Sequence, residues 1–380
     1  MDELFRYKYD ANEVGSENHR IKVAKTKGTL VFGQNGKKYL DFRAGWCVGN
    51  SGWNNPTIMK AIKKFTGPVF VTQSDEYEPW NVLAKKLVDL MPNKNYTCFR
   101  ATGGTEAVEI ALKIAKAHNS RKKFIAFKDA YHGQSFSEMA LVGLHEKKFG
   151  PYGDNYIRLN TDWDEATKKA VQEIEKGDVC AFISEPIICN LAVVVPPLDF
   201  MQKVRDACSR TGTVFIMDEI MSGFGRTGKW FGFEHYNLEP DIVTIAKGFS
   251  SGHAAIGSAI AKSEIAKGMD FNFSNYSTFG WHPISTAAAI ANVEYIQNKG
   301  LVEKSKKSGK YLLEKLSEFN AQGKGLCIGL DCSQGDCAKL LENGLIVGDF
   351  GNRVCLYPNL EVSEKEINKA AGIITKVLGA

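Results

Sequence analysis

Asp241-Ile242-Val243-Thr244-Ile245-Ala246-Lys247-Gly248 reads as a buried strand that ends on an amine. A short apolar run bounded by polar residues marks a strand covered on both faces, as in a parallel sheet. Val214-Phe215-Ile216-Met217 has the same character and ends on Asp218 and Glu219. Working outward, the two runs predict strands over Val214–Met217 and Ile242–Ala246. Others are predicted over Thr97–Ala101, Phe124–Phe127, Ala181–Ser184 and Gly257–Ala261. After the earliest of them, Ala107, Ile110, Ala111, Ile114 and Ala115 recur at helical spacing. Strands alternating with helices define an α/β fold with a mostly parallel sheet flanked by helices.

The ends of the chain read differently. Gly28-Thr29-Leu30-Val31-Phe32, the turn Gln34-Asn35-Gly36 and Lys38-Tyr39-Leu40-Asp41-Phe42 predict a β-hairpin. An Ala-rich helix, Ile284–Ile296, follows Pro283 and leads to short strands and helices. The expected division is a large domain over 46–285 and a smaller α+β domain from 1–45 and 286–380.

Composition narrows the function. The chain has 380 residues, 44% hydrophobic and 24% charged, which suits a globular protein with a large core. A net charge of +5 with no basic block gives no reason to expect nucleic acid. No apolar stretch is long enough to span a bilayer, and the N-terminal residues lack the apolar core of a signal peptide, so no membrane partner is expected. The 9 cysteines are scattered without zinc-ligand spacing. Reduced thiols, a cytoplasmic location and no metal are the expectations.

In open α/β sheets, ligands bind beyond the carboxyl ends of the strands. Five such ends carry polar clusters here. Thr102-Gly103-Gly104-Thr105-Glu106-Ala107 joins a strand to a helix, where glycine backbone and free amides can receive a phosphate. Tyr131-His132-Gly133 offers an aromatic face for a planar ring. Glu185-Pro186 adds a carboxylate. Asp218 and Lys247 supply one acid and one amine. That pair suits pyridoxal phosphate, which takes a Schiff base from lysine and a carboxylate partner at its pyridinium nitrogen. Lys247, once released, can shuttle the substrate proton.

These strings resemble the class III pyridoxal-phosphate aminotransferases. The resemblance runs through Thr102 to Lys113, Tyr131-His-Gly, Glu185-Pro, Phe215 to Gly228, Pro240 to Gly248 and Ser277-Thr278-Phe279-Gly280. It implies a fold-type I enzyme and a homodimer whose active sites are shared between subunits. By position, Gly103, Gly104 and Thr105 bind phosphate, Tyr131 stacks on the ring with His132 beside it, and Asp218 pairs with the ring nitrogen. Lys247 is the Schiff-base lysine. Glu185 and Met221 lie near the ring, Met221 where many relatives carry a glutamine. Thr278 reaches the phosphate of the partner's site.

Departures from the family pattern bear on the substrate. Gln134 stands where ornithine-type members carry arginine, and Asn190 where they carry a gating glutamate. The position of their carboxylate-binding arginine falls on Cys355, with Arg353 two residues earlier. Loss of both members of a buried pair is consistent, because an acid left without its arginine costs roughly 3–5 kcal/mol. Lys25, Arg43 and Arg353 are the candidate replacement cations. Trp46, Gln134, Asn190, Trp281 and Arg353 are the expected substrate contacts. Trp281 reads equally as a bulky interface residue.

The sequence thus predicts an aminotransferase that moves an amino group from a donor to a small aldehyde or ketone. The expected amine lies distal to any carboxylate, or on a sugar or polyol. The alternatives are an aminomutase of the glutamate-1-semialdehyde type, which Ile187-Ile188-Cys189-Asn190 and Glu219-Ile220-Met221 resemble, and a non-catalytic binding relative.

Overall fold

The computed structural model describes residues 21–72 and 74–379. The first part of the expected small domain, residues 1–20, lies outside the described residues. Strands β1 (Val23–Lys27), β2 (Leu30–Gly33) and β3 (Lys38–Asp41) form an antiparallel meander. The turn between β2 and β3 carries Gly36 at φ +78, the left-handed conformation that glycine adopts without steric cost. The sequence reading placed Gly28 and Thr29 in a strand. In the structure Gly28 has φ +56 and forms the turn from β1 to β2.

The large sheet has seven strands. They are β4 (Tyr96–Ala101), β5 (Lys123–Phe127), β6 (Tyr156–Leu159), β7 (Val179–Ser184), β8 (Val214–Asp218), β9 (Ile242–Ile245) and β10 (Gly257–Lys262), in the order β4-β10-β9-β8-β7-β5-β6. Six run parallel; β10 lies antiparallel between β4 and β9. Every residue of β7, β8 and β9 is buried, which is why these strands read as unbroken apolar runs. Edge strand β6 is mostly half-buried and includes Arg158, so it gave no such signal.

Helices cover this sheet. In α1 (Gly104–Asn119) the buried positions are Ala107, Val108, Ile110, Ala111, Leu112, Ile114 and Ala115, the stripe expected of a helix against a core. The helix ends at Ser120, φ +56. Helices α2 (Phe136–Val142), α3 (Trp163–Glu175) and α4 (Leu198–Thr211) follow, each in a strand-to-strand connection. Phe127, Trp163, Phe182 and Phe200 pack between α3, α4 and the sheet at ring separations of 5.3–6.3 Å. Helix α5 (Pro283–Asn298) begins at a proline, whose missing N–H is no loss in a first turn.

Beyond α5, strands β11 (Gln322–Lys324), β12 (Cys327–Asp331), β13 (Leu345–Ile346), β14 (Gly348–Asp349) and β15 (Arg353–Leu356) complete two four-stranded sheets. Strand β13 pairs with β3 in parallel, so the two ends of the chain share a sheet. Arg226 is buried and ties together segments far apart in sequence: it donates to Asn50 Oδ1 at 2.6 Å, to Leu326 O at 3.0 Å and to Pro358 O.

Candidate active site

Strands β8 and β9 are parallel neighbours with Asp218 opposite Thr244, so Lys247 leaves the sheet three residues beyond Asp218's partner. Strand β9 stops at Ile245, one residue before the predicted end. Lys247 starts a short turn at φ +40, half-buried, in a conformation uncommon for a residue with a side chain. Gly248 follows because Asn50 leaves no room: a Cβ there would stand 2.5 Å from its Nδ2.

Asp218 is 2% exposed and fully engaged. Its Oδ2 meets His132 Nδ1 at 2.6 Å, and its Oδ1 accepts from Thr244 Oγ1 at 3.0 Å and from Ile220 N at 3.1 Å. Burial works against a charged His132. The bond and charge of Asp218, with Glu185 and Glu138 behind it, outweigh that and hold the imidazole above its ordinary value. Glu185 follows β7 and is buried; its Oε2 accepts from Cys189 N at 3.2 Å. Burial pushes its carboxyl up to about 7, against the pull of His132 and then Lys247.

Gly103 precedes α1 in extended backbone with no side-chain cap. The first intrahelical bond is Ala107 N to Gly103 O, which leaves the amides of Gly104 and Thr105 ahead of it for a ligand. A Cβ on Gly104 would crowd Ile220 at 3.0 Å. Thr105 and Tyr131 are exposed, and Thr278 is exposed beside Ser277, which bonds the Glu106 carboxyl.

The expected substrate contacts scatter more widely. Trp46 is half-buried at φ +60, edge-on to Phe350 at 5.6 Å and beneath Arg43. Met221 packs on the same cluster of Cys47, Cys189, Cys327, Cys355 and Tyr357. Gln134 is exposed, as is Asn190, whose Nδ2 donates to Asp129 O at 2.9 Å. Trp281 is 1% exposed, and its Nε1 donates to Gly257 O at 2.8 Å, so it fills core. Arg353 pairs with Asp331 at 2.5 Å, while its Nε and Nη2 are buried without a partner. Lys25 is exposed over Phe32, outside this group.

Two residues of the site went unread in the sequence. Thr244 is the one hydroxyl in its apolar run, and that oddity was its signal. Glu138 closes a Ser135-x-x-Glu138 capping box, a recognisable spacing.

The donor set fits a phosphorylated pyridine aldehyde. It joins an amine, a buried acid, a helix N-terminus and two buried atoms with no partner, His132 Nε2 and Glu185 Oε1. The family model for class-III aminotransferases matches residues 11–378. The chain is 32% identical to the acetylornithine aminotransferase of Archaeoglobus fulgidus, over 93% of this chain and 95% of the relative. It is 34% identical to that of Caldanaerobacter subterraneus subsp. tengcongensis, over 94% of each. Among solved structures, an aminotransferase from Bacillus anthracis superposes with a TM-score of 0.89 at 28% identity, covering 98% of this chain and 96% of the other. An (S)-enantioselective omega-transaminase from Thermomicrobium roseum gives 0.86 at 27% identity, covering 95% and 92%. The chain belongs to the class-III aminotransferases, whose cofactor is pyridoxal phosphate and whose substrates are an amino donor and a carbonyl acceptor. Among the described residues, no helix is long and apolar enough to cross a membrane.

Proposed function

We propose that Lys247 holds the cofactor's aldehyde carbon, Asp218 faces its ring nitrogen, Tyr131 covers one ring face and the Gly103–Thr105 amides take its phosphate. The observation that carries this reading is the pairing of β8 with β9, which sets a fully bonded Asp218 and the half-buried Lys247 at the carboxyl ends of adjacent strands. When bound, the cofactor supplies an electron sink for the carbanion left by proton loss. The chain does the rest. Asp218 presents its carboxyl group, held by three bonds, in a buried site, and Lys247 takes and returns the proton.

The proposed substrate is a small molecule with its amine distal to a carboxylate, or on a sugar or polyol. Support comes from the acetylornithine aminotransferases among the relatives and from Arg353, whose two idle buried donors suit a distant carboxylate. The same reading makes the enzyme a homodimer with shared sites. Phe70, Phe271, Phe273, Tyr276 and Phe279, all at least 40% exposed, supply apolar surface beside Thr278. Nine free cysteines favour the cytosol. The division into 46–285 and the two chain ends has its support in the β3–β13 pairing.

The test is a donor screen that follows the visible spectrum of the pyridoxal-phosphate-loaded protein. The reading expects loss of the aldehyde-form band with distal diamino acids or amino sugars, and release of a carbonyl product. No spectral change with any amine would contradict it. Turnover without carbonyl release would replace it by the mutase.

A further inference from the structure

His132 is ringed by acids from three elements. Asp218 comes from β8, Glu185 follows β7, and Glu138 lies in α2. The first two belong to the site described above; Glu138 has no role there yet. Its side chain is 0% exposed. Oε2 accepts from Ser135 N at 3.0 Å, and Oε1 has no partner. The carboxyl lies directly against Gly133, the residue after His132. A Cβ built there would stand 1.9 Å from Oε2 and 2.6 Å from Oε1, at φ +137. Only glycine permits that approach.

A helix cap does not account for an acid here. Glutamine serves the capping box equally, and a buried carboxyl with an idle oxygen is costly. Glu109, reaching from α1 to Ser135 Oγ, adds further like charge. Burial, reinforced by Glu109 and Asp218 and opposed by the Ser135 bonds, pushes the Glu138 carboxyl up to about 7.

We propose that Glu138 is a positioning residue that favours the doubly protonated form of His132, the ring whose Nδ1 meets Asp218. An imidazole with one acid at Nδ1 loses its second proton as the pH rises. A second acid, charged above about pH 7, opposes that loss. Asp218 and Glu185 face the ring as well, and Lys247 faces Glu185. Glu138 is the member whose removal leaves the described site contacts in place. The consequence for the cofactor rests on the proposed role of Asp218; the protonation of His132 does not.

The test follows the His132 ring nitrogens by NMR between pH 6 and 9, in full-length protein labelled at its 7 histidines, with and without pyridoxal phosphate. The His132 signal is the one lost in His132→Gln. Glu138→Gln, which retains the cap, is expected to lower the His132 titration by about one pH unit, the low end of what a neighbouring charge supplies. Ser135→Ala disturbs the cap and removes only one of the bonds that hold the Glu138 carboxyl down, so it should move the His132 titration by clearly less than Glu138→Gln does. Should Glu138→Gln not fold, Glu138→Met fills similar space without charge and carries the same expectation. A His132 titration unchanged in the uncharged variant would overturn the proposal. So would an equal shift in Ser135→Ala, which would make the role one of helix capping. Because the cofactor-free protein is read too, an error in the role of Asp218 leaves this result interpretable.

Discussion

His132 Nδ1 and Asp218 Oδ2 meet at 2.6 Å with both side chains withdrawn from solvent. The pair joins the β5–α2 connection to the end of β8, 86 residues away in sequence. It fixes the acid at the carboxyl end of β8, where Thr244 and the Ile220 amide take the other oxygen. A charged acid in such surroundings needs each of these bonds, because water cannot replace them.

Asp218→Asn keeps the shape of the site and removes the charge. Cofactor retention should persist through the α1 amides. Proton abstraction from the substrate should slow by about 100-fold or more, the scale of one electrostatic partner in a water-excluded site. Single-turnover spectroscopy separates the two; a rate within threefold of wild type would contradict the role of the acid.

Thr244→Val removes one bond to Asp218 without changing side-chain volume much. Loss of one of the two donors to Asp218 Oδ1, with Ile220 N remaining, should cost about 1–2 kcal/mol, read by urea unfolding of the cofactor-free protein. An unchanged midpoint would mean that Asp218 finds another donor.

Glu185 gives a pH-dependent prediction. Its carboxyl is held near 7 in the folded protein, above the ordinary value of 4.5. The folded state therefore binds the proton more tightly than the unfolded state. The associated stability is full below about pH 4.5 and is lost as the pH rises to about 7. Glu185→Gln, with its amide nitrogen at the idle Oε1 position, should flatten that slope. It should be more stable than wild type above pH 7, by up to about 3 kcal/mol. Parallel slopes in urea titrations from pH 5 to 8 would contradict this.

Arg353→Met tests the carboxylate reading of the substrate. Asp331, its partner, is half-exposed and survives the loss cheaply. KM for a donor with a distal carboxylate should rise about tenfold or more, with kcat little changed, as for an interaction made equally in ground and transition states. Donors without a carboxylate should be unaffected. An equal effect on both classes would assign Arg353 to the fold.

Much of this architecture was legible because buried parallel strands announce themselves. Val214–Asp218 and Ile242–Ile245 are apolar on both faces and end on the groups that matter. What stayed hidden depends on the third dimension. The bond from His132 to Asp218 follows from how β5 and β8 are ordered, which no local pattern encodes. Strand β6 was missed because an edge strand with Arg158 and a solvated face has no continuous apolar run. Trp281 reads alike as a substrate contact and as a bulky interface residue, since an indole serves both; its burial and its bond to Gly257 O place it in the core instead. Glu138 has the spacing of an ordinary cap, and its approach to Gly133 is a tertiary contact that spacing does not encode.

The central claim is a covalent bond between one lysine and the cofactor. Reduction of the pyridoxal-phosphate-loaded protein with borohydride, followed by peptide mass analysis, reads it directly. The account predicts a phosphopyridoxyl adduct on Lys247 alone, absent in Lys247→Ala. An adduct on another lysine, or none on the loaded wild-type protein, would contradict it.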